Sequence, residues 1–144
     1  FNFKFEDPSN KNINFKRIRI RNLINDLKSE GLSLEKLRLT INNLTYSNLT
    51  INHYVNENIR NNSKYNRLKK KYILNNDFFN QPSEIIFRSL TNILKKISNK
   101  YYPPRGKSIS QMIVKFKSGE IKKINISGCI LEKINNSFII YKEN

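Results

Sequence analysis

The chain has 144 residues, 27 of them Lys or Arg against 11 Asp or Glu, for a formal net charge of +16. Its single cysteine, Cys129, excludes an intrachain disulfide and fits a reducing compartment. No apolar run approaches the roughly 18–20 residues needed to cross a bilayer, and no signal-peptide pattern opens the chain.

Phe1, Phe3 and Phe5 alternate with polar residues, which predicts an extended segment over 1–10, closed by a turn at Asp7-Pro8-Ser9-Asn10. A helical region is expected over 16–99. Ile20, Leu23, Ile24 and Leu27 share the face of a first helix that stops near Gly31. Ser33 is placed to cap a second, with Leu34, Leu37, Ile41 and Leu44 on one stripe. A third carries Ile51, Tyr54, Val55 and Ile59, and a fourth carries Tyr65, Leu68 and Tyr72 inside a basic run. Pro82 suits the first turn of a fifth, with Ile86, Leu90, Ile93 and Ile97 in register.

After the breaker Tyr101-Tyr102-Pro103-Pro104-Arg105-Gly106 the pattern changes. Met112, Val114 and Phe116 alternate with Gln111, Lys115 and Lys117 as a first strand. A second runs through Ile124 and Ile126, with Gly128 as a bend, and a third spans Phe138 to Tyr141 after an Asn135-Asn136 turn. The fold class read from this is α+β in one domain, 1–144. A helical N-terminal two-thirds precedes a small antiparallel three-stranded meander over 107–144.

The alphabet is skewed: no Ala, no Trp, but 24 Asn, 21 Ile and 19 Lys. These abundant residues use codons rich in A and T, so part of the Lys content reflects genome composition. The eight Arg are less inflated by that bias, and the charge is read as directed at nucleic acid.

The charge is also clustered. Arg60, Lys64, Arg67, Lys69, Lys70 and Lys71 lie within 60–72 with no acid among them. Such a surface binds phosphates through counterion release, with Tyr65 and Tyr72 available to stack on bases. The alternative is a solvated basic face with both tyrosines in the core. A second patch within Lys100–Lys123 offers Tyr101, Tyr102, Arg105 and Lys107 in a loop and Lys115, Lys117, Lys122 and Lys123 on strands. That patch is either an RNA platform or an ordinary solvated sheet face.

Catalytic and cofactor motifs fail. Gly106-Lys107-Ser108 looks like the end of a P-loop, but Tyr101 stands where its first glycine belongs, and a strand is expected to follow. His53 and Cys129 alone assemble no metal cluster, and the carboxylates form no pair suited to acid–base work. The reading is therefore not an enzyme, with no cofactor, no metal and no small-molecule substrate.

Leu27-Lys28-Ser29-Glu30-Gly31-Leu32-Ser33-Leu34-Glu35-Lys36-Leu37, within 23–44, resembles the helix–turn–helix of MerR-like DNA-binding domains. That resemblance implies Lys36, Arg38, Asn42 and Asn43 as base-reading residues. The C-terminal meander resembles Sm-like folds only in outline. Across the whole chain, composition and charge resemble organelle-encoded ribosomal proteins of AT-rich genomes. This implies a non-catalytic, RNA-binding structural subunit of a ribonucleoprotein in a mitochondrion or plastid, or in the cytoplasm. Its partners would be ribosomal RNA and neighbouring ribosomal proteins. The alternative is a helix–turn–helix DNA-binding regulator of phage or plasmid type.

Overall fold

The computed structural model describes residues 14–120 and 122–143, so the expected extended segment and turn at 1–10 lie outside the described residues. The chain divides into two compact units between Ser47 and Asn48.

In the first unit, α1 spans Lys16–Ser29. It ends on Gly31 (φ +95°), whose N–H bonds the Lys28 carbonyl at 3.0 Å while the Leu32 N–H bonds that of Leu27 at 2.8 Å. This reciprocal pair satisfies carbonyls the helix would leave free, and it needs the left-handed backbone that glycine adopts without strain. The Ser33 hydroxyl then accepts the Lys36 N–H at 3.3 Å and opens α2, Leu34–Asn62. Ile18 is buried, whereas Leu23, Leu37 and Leu44 are exposed.

The second unit begins within α2 and contains the sheet. β1 (Ser63–Asn66) and β2 (Lys71–Asn75) form a hairpin. A 3-10 turn, Asn76–Phe79, follows, its start held by the Phe78 N–H donating to Asn75 Oδ1 at 3.1 Å. Then come α3 (Ser83–Ser98), α4 (Gly106–Lys117), β3 (Lys123–Ile126), β4 (Cys129–Ile134) and β5 (Ser137–Lys142). The five strands are antiparallel in the order β1-β2-β5-β4-β3. Two-residue turns set the register of the last three strands. Ser127 (φ +56°) and Gly128 (φ +78°) join β3 to β4, and Asn135-Asn136 joins β4 to β5.

The core lies between the helices and one sheet face. Ile86, Leu90, Ile93 and Leu94 of α3 and Ile109, Met112, Ile113 and Phe116 of α4 are buried against Leu74, Leu131, Phe138 and Ile140. A polar seam attaches the end of α2. Asn58 Nδ2 donates to the Ser89 hydroxyl at 3.2 Å and to the Phe78 carbonyl at 3.4 Å. Asn58 Oδ1 accepts from Asn62 Nδ2 at 2.9 Å.

The α+β class is therefore right, but the three-stranded meander is not. Residues 65–72, expected as a helix, are the β1–β2 hairpin: Tyr72 and Leu74 alternate inward, and the Lys-rich turn is what resembled a helix surface. Residues 111–117, expected as a strand, belong to α4. The stripe Ile109, Met112, Ile113 and Phe116 has helical spacing, while Val114, assigned inward with Met112, is 65% exposed. The hairpin adds two strands through pairing of β2 with β5, a contact between distant segments that local periodicity does not encode, and the single strand expected to bend at Gly128 is two, β3 and β4, joined by the turn there. The second and third expected helices are one helix, α2.

Candidate nucleic-acid interface

The β1–β2 turn is built for rigidity and charge. Asn66 begins it and its Oδ1 accepts the Lys69 N–H at 3.0 Å, a local bond that asparagine is well suited to make. Lys70 closes it with a left-handed backbone, φ +46°. Arg67, Lys69 and Lys70 are exposed, and Lys71 is half-buried where β2 starts. Two pairs in from the turn, Tyr65 packs on Tyr72 with ring centroids 4.9 Å apart, and Lys96 Nζ lies 5.9 Å from the Tyr72 ring.

The strand register brings further cations to the end of the sheet that carries this turn. Lys71 pairs with Tyr141, and Lys142 pairs with Cys129, which follows the Ser127-Gly128 turn. Lys100 Nζ lies 3.5 Å from where a Cβ on Gly128 would stand. Burial pushes the Cys129 thiol pKa up, while the positive charges of Lys100 and Lys142 pull it the other way. One end of the sheet thus gathers Arg67, Lys69, Lys70, Lys71, Lys100 and Lys142. Glu143 also lies there, its N–H bonded to the Gly128 carbonyl at 3.0 Å.

The sheet face turned away from α3 and α4 carries a row running Lys64, Ile73, Ile139, Glu132, Lys123 across all five strands. Four inter-strand spacings put its terminal lysines about 19 Å apart. The next row runs Asn66, Lys71, Tyr141, Ile130, Asn125, with the Tyr141 hydroxyl 3.2 Å from Glu132 Oε2.

The other expected residues are distributed differently. Arg60 is exposed at the end of α2 and paired with Glu57 at 2.8 Å. Tyr101 and Tyr102 are exposed in the loop before α4, edge to face at 4.9 Å. Arg105 immediately precedes α4 and Lys107 lies in its first turn, where no side chain caps the helix. Gly106-Lys107-Ser108 therefore open a helix, where a strand was expected, but the element before the loop is α3 and not a strand, so the phosphate-loop pattern fails there as well as at Tyr101. Lys115 and Lys117 are in the last turn of α4, not on a strand. Lys117 faces a cleft of about 580 Å³ shared with Lys133, and Lys122 and Lys133 line a neighbouring one of about 480 Å³. This cluster lies at the opposite end of the sheet from the hairpin turn.

Sequence reasoning thus separated cations that the fold joins. Lys133 and Lys142 each stand alone in sequence, and only strand register gives them cationic neighbours. Tyr72 is buried and is not available to stack on a base. Among the described residues no group of three His, Cys, Asp or Glu side chains could hold a metal ion, and no helix is long and apolar enough to cross a membrane.

Three curated proteins resemble this chain over nearly its whole length, and all are named tRNA(Ile)-lysidine synthase. That of Wolbachia sp. subsp. Brugia malayi (strain TRS) is 27% identical over 141 residues, covering 96% of this chain and 32% of the relative. That of Anaplasma marginale (strain St. Maries) is 26% identical, with 96% and 30% covered. The Wolbachia pipientis wMel protein is 24% identical, with 96% and 32% covered. The chain spans about a third of the length of these relatives. No family model matches the chain, and no solved structure matches it.

These relatives correct the functional expectation. Their name is that of an enzyme of tRNA modification, not of a structural ribosomal subunit or a DNA-binding regulator. The expectation of a non-enzyme falls with it. So does the partner set of ribosomal RNA and ribosomal proteins without a small-molecule substrate, together with the mitochondrial ribosomal assignment. Composition misled because a basic, Asn- and Lys-rich alphabet marks the genome and the presence of phosphate partners without distinguishing one RNA from another.

Proposed function

We propose that this chain is part of a tRNA-modifying enzyme of the tRNA(Ile)-lysidine synthase kind and that it contributes a surface holding the tRNA. The observation that carries the reading is the alignment of 96% of the chain with relatives of that name. The basic end of the sheet supplies the physical means. Arg67, Lys69, Lys70, Lys71, Lys100 and Lys142 present cations around a rigid turn, and a folded RNA presents closely spaced phosphates. Contacts of this kind fix register and orientation and carry little sequence information. Selection among tRNAs would then rest on shape and on the rest of the enzyme.

Recovery of RNA crosslinked to the protein in its own cells tests this. The expected result is enrichment of tRNA, with tRNA(Ile) foremost. Recovery of ribosomal RNA without tRNA would overturn the reading.

A further inference from the structure

Leu68 is 96% exposed, the most exposed large apolar side chain among the described residues. It sits at the tip of the β1–β2 turn, between Arg67 and Lys69. Nothing in the core of this unit uses it, and the turn geometry does not require it: the Lys69 N–H bond to the Asn66 side chain and the positive φ of Lys70 shape the loop. An apolar side chain held in water on a rigid, cationic projection suits a task performed against a partner.

We propose that Leu68 is an apolar wedge, set by the β1–β2 hairpin against an unstacked or terminal base step of the bound RNA. This rests on the tRNA-holding reading above. Leucine is among the side chains that proteins insert between bases, where it replaces lost stacking with apolar contact. Arg67, Lys69 and Lys70 flank the tip, placing cations for the phosphates on either side of such a step. Four paired residues per strand and the Tyr65–Tyr72 packing brace the hairpin, so the wedge arrives pre-positioned. A basic loop with a leucine tip would also suit an anionic bilayer; the relatives' name favours RNA.

The test uses the full 144-residue chain and an unmodified tRNA(Ile) transcript, with affinity measured across a potassium chloride series and base accessibility mapped with dimethyl sulfate. Leu68→Ala is expected to weaken binding about tenfold, with the slope of log affinity against log salt unchanged, because the lost contact is apolar. Leu68→Met keeps an apolar wedge and should stay near wild type. The double variant Lys69→Ala/Lys70→Ala should instead flatten the slope by about 1.4–1.8. Wild-type protein should raise the reactivity of at least one base, and Leu68→Ala should not.

If Leu68→Ala matches wild type in affinity and reactivity while the lysine variant weakens binding, the wedge is overturned and the tRNA reading stands. If wild type fails to bind the transcript, the tRNA reading falls and the wedge with it. Leucine-dependent binding to phosphatidylglycerol vesicles, with no leucine effect on tRNA, would overturn the wedge in favour of a membrane contact.

Discussion

Replacing Asn58 by alanine removes the centre of the polar seam between α2 and α3. Asn58 is 3% exposed, and its side chain makes three hydrogen bonds inside the protein: its amide N–H groups donate to Ser89 and to the Phe78 carbonyl, and its oxygen accepts from Asn62. The Ser89 hydroxyl keeps its own bond to the Val55 carbonyl at 3.4 Å, so the loss falls on the Phe78 carbonyl and the Asn62 amide. Asn62 also accepts from Asn75 Nδ2 at 3.2 Å, which couples the seam to the end of β2. A buried polar group left without its partner costs about 1–3 kcal/mol, and the 3.4 Å bond to Phe78 is at the weak end. With the cavity left by the amide, the total is about 2–4 kcal/mol. For a unit of this size that lowers Tm by roughly 10–25 °C. Urea unfolding followed by far-ultraviolet circular dichroism measures it, provided the slope with denaturant stays constant. Asn58→Asp should destabilise further, because it places a carboxylate next to the Phe78 carbonyl. A loss below about 0.5 kcal/mol for Asn58→Ala would show that the seam is not holding α2, and the reasoning would fail.

Leu74 is fully buried on β2, and Leu74→Ala should cost about 2–5 kcal/mol in the same urea assay. Lys70→Gly should stabilise by about 0.5–1 kcal/mol, because glycine adopts the left-handed backbone at this position without strain; destabilisation would mean the lysine side chain holds the turn. Burial raises the Cys129 pKa in the folded state, so the folded protein keeps the thiol proton after the unfolded chain loses it near pH 8.5. Stability should therefore fall as pH rises above about 8, up to the folded pKa, and more steeply in wild type than in Cys129→Ala; equal slopes would show that the thiol titrates alike in both states.

Much of the helical part was legible because its signals are local. Gly31 and Ser33 punctuate α1 and α2 through bonds within a few residues, and the α3 stripe of Ile86, Leu90 and Ile93 is buried as its spacing implies. The two misread segments, at 65–72 and 111–117, are short apolar runs whose period is ambiguous. Tyr65 and Tyr72 are seven residues apart, a spacing that suits two helical turns, yet in the fold they face each other across a hairpin. Ile109 and Ile113, left out of the strand reading, complete the helical stripe of α4. The candidate interface was half legible for the same reason. The run from Arg67 to Lys71 is contiguous, but Lys100 and Lys142 join it only through the register of β4 and β5 and the turn at Gly128. The functional class lay beyond composition altogether, since charge reports phosphate and not which RNA carries it.

The most direct test of the central claim is the lysidine content of tRNA(Ile), measured by mass spectrometry of digested tRNA after depletion of this protein in its own cells. The account predicts that lysidine falls and returns when the protein is restored. Unchanged lysidine in depleted cells would contradict it.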